Sequence, residues 1–359
     1  MQVKPVLRRV HRYVAFAFGL LWLSQALTGL LMVYRWEIDD ATVATAARDV
    51  PLDFVALGAR IAVVEAGQPG AVVSQLWATG GVDGRYDLYV DLPDGRRDVV
   101  RIDGTGSVLR HRTSDWDFRD GGFISLAADL HQTLFAGDRG KLIVGLSGTF
   151  LLANVVMGLV LAWPARARQW RVALAPKGAR PGAARRYAWH RAVGLWLAVP
   201  ALLFFSAGIL LTVESYLEQW LGLDETPAEV LVAPRLSGPP VAPAQAIAAA
   251  LQRFPSSELS GAVFPTPAEP WYRIRVRQPD EWRRVYGTSV VYVAGATGHV
   301  LRVEDALHAP PRRAFVDSLY PVHTGEVAGP AGRWLALGVA AWLATMLVLG
   351  FGLWLARRR

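Results

Sequence analysis

The chain holds seven histidines and no cysteine. Four of the histidines recur in a pattern. His11-Arg12 and His190-Arg191 each precede a long apolar run, and eighteen residues after each histidine comes a glycine, Gly29 and Gly208. His131 is followed by Gly137, Gly140, Lys141 and Gly158. His323 is followed at the same offsets by Gly329, Gly332, Arg333 and Gly350. The absence of thiols excludes disulfides, zinc–thiolate sites, iron–sulfur clusters, a thiol nucleophile and covalent c-type haem. Imidazole is the remaining nitrogen ligand, and two pairs of imidazoles suit two bis-histidine b-type haems. The competing reading makes each histidine a capping or snorkelling residue at a membrane interface. His111, His299 and His308 lack repeat partners and read as ordinary exterior residues.

The elements that must position these histidines are membrane spans. Residues 13–34, 142–163, 192–213 and 334–356 contain no Asp, Glu, Lys, Arg or His. As a helix each run is roughly 33 Å long, enough to cross a hydrocarbon core. Basic residues set the orientation. Segments 1–12, 164–191 and 357–359 are rich in Lys and Arg, including Lys177, Arg180 and Arg357 to Arg359, and hold no acidic residue. The positive-inside rule makes them the cytoplasmic N-terminus, loop and tail of an N-in/C-in protein. Residues 35–141 and 214–333 then lie outside, in the periplasm if the membrane is a bacterial inner membrane. The net charge of +8 is explained by this topology, so nucleic acid is not expected as a partner and the lipid bilayer is.

The exterior segments repeat as well. VVRIDGTGSVL at 99–109 and VYVAGATGHVL at 291–301 are 192 residues apart, the shift that also relates His131 to His323. Each reads as two short strands around a Gly-containing turn. Each is preceded by a helical stretch, 54–66 or 243–254, and a strand-like one, 87–91 or 272–277. The expected fold class is therefore an α-helical membrane protein: a four-helix transmembrane bundle with two small α+β exterior modules and an internal two-fold repeat.

Eighteen residues are five helical turns, so Gly29 and Gly208 lie on the stripe of their histidines, near the depth of the opposite pair. Gly158 and Gly350 lie near the cytoplasmic ends of their spans. Topology sorts the ligands into His11/His190 at one face and His131/His323 at the other. Each pair would meet two positions without side chains, giving the close backbone approach a flat macrocycle needs. Small-residue helix packing is the alternative for these glycines. Residues 123–134 form an amphipathic pattern that could instead hold His131 at the surface. Arg12, Arg191, Lys141 and Arg333 flank the expected haem depths, as propionate partners or as membrane anchors. Gln25 and Asn154 are polar groups expected to face the bundle interior.

The HRYVAFAFGL opening with Thr28-Gly29, LHQTLFAGDRGK, YAWHRAVGLW and PVHTGEVAGPAGRW together resemble the PepSY-associated transmembrane helix proteins, also called iron-regulated membrane proteins, over essentially the whole chain. The resemblance implies PepSY-like exterior modules. Some members of that family are inner-membrane ferric-siderophore reductases with two b-type haems, and others have no assigned activity.

These readings lead to a transmembrane oxidoreductase that passes electrons from a cytoplasmic to an exterior haem, and the resemblance implies that it reduces a periplasmic ferric chelate, such as an iron–siderophore complex, for iron uptake. No G-x-G-x-x-G follows a strand, so the donor would be a membrane quinol or a separate cytoplasmic reductase. Trp116, Arg119, Trp271 and Arg312 are candidates for the acceptor surface. The rival is a non-enzymatic PepSY membrane protein that binds a periplasmic partner or protease. A metal relay in a transporter is a third reading, weakened by the lack of ionisable groups along the spans.

Overall fold

A computed structural model describes residues 3–43, 50–113, 116, 118, 121–176, 181–223 and 226–356. Lys177, Arg180, Arg357, Arg358, Arg359 and the acceptor candidate Arg119 lie outside them. In chain order the first half contains α1 (Val3–Met32), α2 (Arg35–Ala41), α3 (Phe54–Gly67), β1 (Val72–Ala78), β2 (Arg85–Asp91), β3 (Arg97–Asp103), β4 (Val108–Arg112), α4 (Gly122–Thr133), α5 (Gly137–Ala162) and α6 (Trp170–Leu174). The second half contains α7 (Ala183–Trp196), α8 (Ala198–Thr212), α9 (Glu214–Leu221), α10 (Ala228–Leu231), α11 (Pro243–Arg253), β5 (Glu258–Val263), β6 (Trp271–Arg277), β7 (Ser289–Ala294), β8 (Val300–Glu304), α12 (Pro311–Thr324) and α13 (Gly329–Ala356). The chain divides into two compact units: residues 1–33, 127–217 and 318–359, and residues 34–126 and 218–317.

The first unit is helical. Three helical segments are long and apolar enough to cross a membrane: Val3–Met32, Gly137–Ala162 and Glu326–Ala356. A fourth crossing requires α7 and α8 together, and these meet at a 61° bend. The straight span expected over 192–213 is thus broken. Pro200 explains the break: it has no N–H for the carbonyl of Trp196, and its ring crowds that carbonyl, so the helix interrupts at Leu197. The helix α1 also begins well before residue 13, which places His11 inside a helix instead of at its mouth. Within the unit, α1 packs on α5 and α13, α5 on α7 and α8, and α13 on α7. Trp22, Ala26, Leu151, Ala201, Phe204, Val339 and Trp342 form its buried apolar centre. The two indoles there donate to backbone carbonyls, Trp22 to Ser147 at 3.1 Å and Trp342 to Val193 at 2.7 Å, so neither N–H is left unsatisfied in an apolar setting.

The second unit is built on one antiparallel sheet of eight strands in the order β4-β3-β2-β1-β5-β6-β7-β8. Two separate modules were expected. The structure joins them, because β1 pairs with β5 through Gln75–Val263, Leu76–Ala262 and Trp77–Gly261. A bulge in each of these strands, between Val73 and Gln75 and between Leu259 and Gly261, breaks the two-residue alternation that marks a strand in sequence. Leu76, Leu88, Val100, Ile102, Ile274, Val276, Val291 and Val293 line one face, under Leu57 and Ile61 of α3 and Ala246, Ile247 and Ala250 of α11. Asp53 caps α3 by accepting from Val55 and Ala56, and Pro243 opens α11.

The other face of the sheet is charged. On its first half, Arg101 reaches Asp87 at 2.7 Å, Asp40 at 2.8 Å and Asp39 at 2.7 Å. Arg110 pairs with Asp39 at 2.9 Å, and Arg85 with Asp40 at 3.4 Å. Asp39 and Asp40 belong to α2, so this buried network fastens α2 to the sheet. Where the two halves meet, a side chain added at Gly261 would run into the indole of Trp77. Gly261→Val is therefore expected to destabilise the protein by about 1–3 kcal/mol, read as a lower melting temperature of the detergent-solubilised chain, whereas Gly95→Ala, at a turn open to solvent, should change it far less.

Candidate functional site: two histidine pairs

His11 lies on α1, His190 on α7, His131 in the last turn of α4 and His323 in the last turn of α12. The fold brings them together two by two. The rings of His11 and His190 are 6.5 Å apart, centre to centre, at an interplanar angle of 67°. Those of His131 and His323 are 6.3 Å apart at 36°. The amphipathic pattern over 123–134 does form a helix, α4, but it delivers His131 to His323 and does not leave it at the surface. Measured along α1 from His11 to Gly29, the two pairs are separated by roughly 27 Å.

The way the ring nitrogens are held is informative. His11 Nδ1 donates to the Asn154 carbonyl at 3.1 Å, and His323 Nδ1 to the Phe204 carbonyl at 2.9 Å. His131 Nδ1 lies 2.9 Å from the Thr28 hydroxyl. That hydroxyl donates its own proton to the Ser24 carbonyl at 2.7 Å, so it accepts from the imidazole. In three of four rings Nδ1 is thus committed to the protein, the arrangement that presents Nε2 to a metal. His190 differs: its Nδ1 is buried without a hydrogen-bond partner among the described residues.

Each of the four expected glycines faces one of these imidazoles. A Cβ built on Gly158 would be 3.3 Å from His11 Cε1, and on Gly350 3.4 Å from His190 Cε1. On Gly29 it would be 3.4 Å from His131 Cε1, and on Gly208 2.6 Å from His323 Cε1. The carbonyls that hold His11 and His323 belong to residues four before Gly158 and Gly208. A bare backbone at the glycine lets the imidazole reach the carbonyl of the preceding helical turn. The close approach that these glycines allow is therefore to the imidazole rings.

Two further glycines in each set shape the turn between the histidine helix and the next span. Gly137 and Gly329 start α5 and α13 with φ of 54° and 57°, left-handed values that suit glycine. Gly140 and Gly332 pass so close to the carbonyls of Thr133 and Gly325 that neither has room for a side chain. The first turn also holds Leu134 and Phe135 at φ of 52° and 59°, a strained conformation for residues with a Cβ. Gln25 donates to the Leu130 carbonyl at 3.3 Å, bracing the helix end that carries His131. Asn154 is buried.

The four basic candidates are used differently. Arg191 donates to the Ala162 carbonyl at 2.8 Å, at the end of α5, and Arg333 to the Val33 carbonyl at 2.8 Å, just past α1. Both satisfy exposed carbonyls at helix ends. Arg12 lies 5.2 Å over the Tyr13 ring, and Lys141 is half-buried at the start of α5. The remaining histidines stand apart from the pairs. His111 bonds Asp98 at 2.9 Å, His308 bonds Asp305 at 2.8 Å, and His299 is exposed. Thr28 carried no assigned role in the sequence reading, although it adjoins a glycine already singled out.

The donor set can be tested against a metal. Two imidazole nitrogens on opposite sides of a metal, each about 2.1 Å from it, with ring centres about 1.1 Å beyond, place the centres roughly 6.4 Å apart. Both observed spacings fit that value, and the tethered Nδ1 atoms fit the second-shell bonding that metal-bound histidines show. No group of three or more His, Cys, Asp or Glu side chains able to hold a metal ion occurs among the described residues. Gly208→Ala must push the His323 ring aside and is expected to cost about 1–3 kcal/mol, while Gly350→Ala, in ordinary contact with His190, should cost less than half of that. Melting temperatures of the two variants in the same detergent measure the difference.

The model of one family, the PepSY-associated TM region, matches residues 8–357. No curated protein matches the chain.

Proposed function

The chain belongs to the PepSY-associated TM region family, and on that premise we propose that it is an inner-membrane electron-transfer protein of b type, with two haems, that reduces a periplasmic ferric chelate such as an iron–siderophore complex. The observation that carries this reading is the pairing of four imidazoles at 6.5 and 6.3 Å with three Nδ1 atoms tethered. On this reading the helices α1, α5, α7–α8 and α13 form a four-helix bundle, N-in and C-in, and the two halves of the chain are related by an internal repeat. His11 and His190 hold the cytoplasmic haem; His131 and His323 hold the exterior one.

A b-type haem supplies a one-electron centre that cycles between ferric and ferrous iron. The protein's own residues fix where such centres stand and what surrounds them. Asn154, Thr28 and Phe204 orient three imidazoles and make them better donors through Nδ1. Trp22, Phe204, Val339 and Trp342 keep water from the interior between the pairs. The sheet unit would provide the acceptor side. Ferric iron in the chelate takes up one electron, and the resulting Fe(II), with its lower charge, is held less tightly by hard oxygen donors. Among the acceptor candidates, Trp271 is buried against the sheet and Arg312 donates to the Leu221 carbonyl at 3.1 Å, while Trp116 is exposed. Electrons would come from a membrane quinol or a cytoplasmic reductase.

The test is transfer across the bilayer. Protein reconstituted in liposomes is reduced from the cytoplasmic side, ferric citrate is added on the other, and Fe(II) is trapped with ferrozine. Wild type and His299→Ala should produce Fe(II) at the same rate. His11→Ala and His323→Ala should each lower it at least about tenfold, about 1.4 kcal/mol in barrier. Unchanged rates in both variants would refute the proposed route.

A further inference from the structure

Three of the four paired imidazoles are held twice, against a bare helix backbone and through Nδ1, whereas His190 is held once. A Cβ on Gly29 would stand 3.4 Å from His131 Cε1 and 4.0 Å from its Nδ1; one on Gly350 would stand 3.4 and 3.8 Å from the same atoms of His190. The two rings therefore sit alike on their neighbouring helices. At the first, the residue before the glycine is Thr28, whose hydroxyl lies 2.9 Å from Nδ1. At the second it is Leu349, which has no acceptor to offer. The other solution, used by His11 and His323, is the carbonyl four residues before the facing glycine. The corresponding carbonyl, that of Met346, is not bonded to His190, whose buried Nδ1 has no hydrogen-bond partner among the described residues. The helix under the ring is nonetheless fixed. Arg186, one turn before His190, donates to the Gly352 carbonyl at 2.7 Å, and Arg191 to the Ala162 carbonyl at 2.8 Å. The ring is unrestrained; α7 is not.

An Nδ1–H without an acceptor leaves an imidazole a weaker donor, and no hydrogen bond opposes rotation of the ring away from a metal. We propose that His190 is the exchangeable ligand of the four: with the iron reduced, its Nε2 yields one coordination position of the cytoplasmic centre to a small neutral π-acceptor, the class that carbon monoxide represents. One nitrogen–iron bond breaks and one carbon–iron bond forms, with no electron transferred. The same exchange is opposed at the exterior centre, where both imidazoles are tethered through Nδ1. Electrons enter at the cytoplasmic centre under the proposed function, so a ligand taken up there would govern their entry. The inference rests on that reading.

The experiment uses the full-length protein in detergent, reduced with dithionite and titrated with carbon monoxide. Binding is read from the change in the reduced absorbance spectrum, and haem is counted on the same samples. Wild type should bind carbon monoxide at one of its two haems. Leu349→Thr, which supplies beside His190 the hydroxyl that Thr28 supplies beside His131, should weaken that binding at least about tenfold. Leu349→Val, of the same shape without the hydroxyl, should bind as wild type does. Leu349→Asn offers an acceptor at the same place should the threonine variant not fold. Two haems with no carbon monoxide bound, binding at both haems, or wild-type affinity in Leu349→Thr would overturn the assignment of His190 and leave the electron-transfer reading standing. A haem-free protein would sink both.

Discussion

The organisation of the helical unit depends on one contact: an imidazole laid against a helix that has no side chain at that point. Gly158, Gly350, Gly29 and Gly208 each supply it. A Cβ at Gly208 would push its ring aside and one at Gly158 would crowd it, disturbing the Nδ1 bonds of His323 and His11, whereas at Gly29 and Gly350 it would only touch the ring. The rest follows in sequence. The glycines fix which helices neighbour each histidine, and the neighbours fix which histidines pair. The turns before α5 and α13, built on Gly137, Gly140, Gly329 and Gly332, then set the height at which His131 and His323 meet.

The two pairs are alike in spacing and unlike in detail. His131 is held by a hydroxyl, His11 and His323 by carbonyls, and His190 Nδ1 by no described residue. Hydrogen bonding at Nδ1 tunes how strongly an imidazole donates, so on the proposed reading the two centres differ electronically although their ring spacings match. The sheet unit shows the same division of labour. Its apolar face is uniform under α3 and α11. Its charged face fastens α2 through the ion pairs of Arg101, Arg110 and Arg85 with Asp39 and Asp40.

Much of this was legible in the sequence, for identifiable reasons. Uncharged runs mark spans, the recurrence of His and Gly at shared offsets singles out four histidines, and the topology set by basic residues sorts them into the pairs that the fold brings together. Strands around a Gly-containing turn, β3 with β4 and β7 with β8, and the strand-like stretches of β2 and β6 could be read directly. What escaped depends on three-dimensional neighbours. The bulged β1 and β5 lack a two-residue rhythm, so the joint that merges the sheet was invisible, as was the Trp77–Gly261 contact that defines it. Pro200 was in plain view, yet the break of α7 from α8 was masked by the even hydropathy around it. Arg191 and Arg333 read as flanking charges, and their bonds to helix-end carbonyls became apparent only with the helices in place. Trp271 suggested a surface and is buried on β6.

The most direct test of the central claim is the haem content of the purified protein, by pyridine haemochrome and by reduced-minus-oxidised absorbance. The account predicts two b-type haems per chain. Loss of the same haem is expected in His11→Ala and His190→Ala, and loss of the other in His131→Ala and His323→Ala. A haem-free wild type from cells supplied with haem, or losses that cross the two pairs, would contradict it.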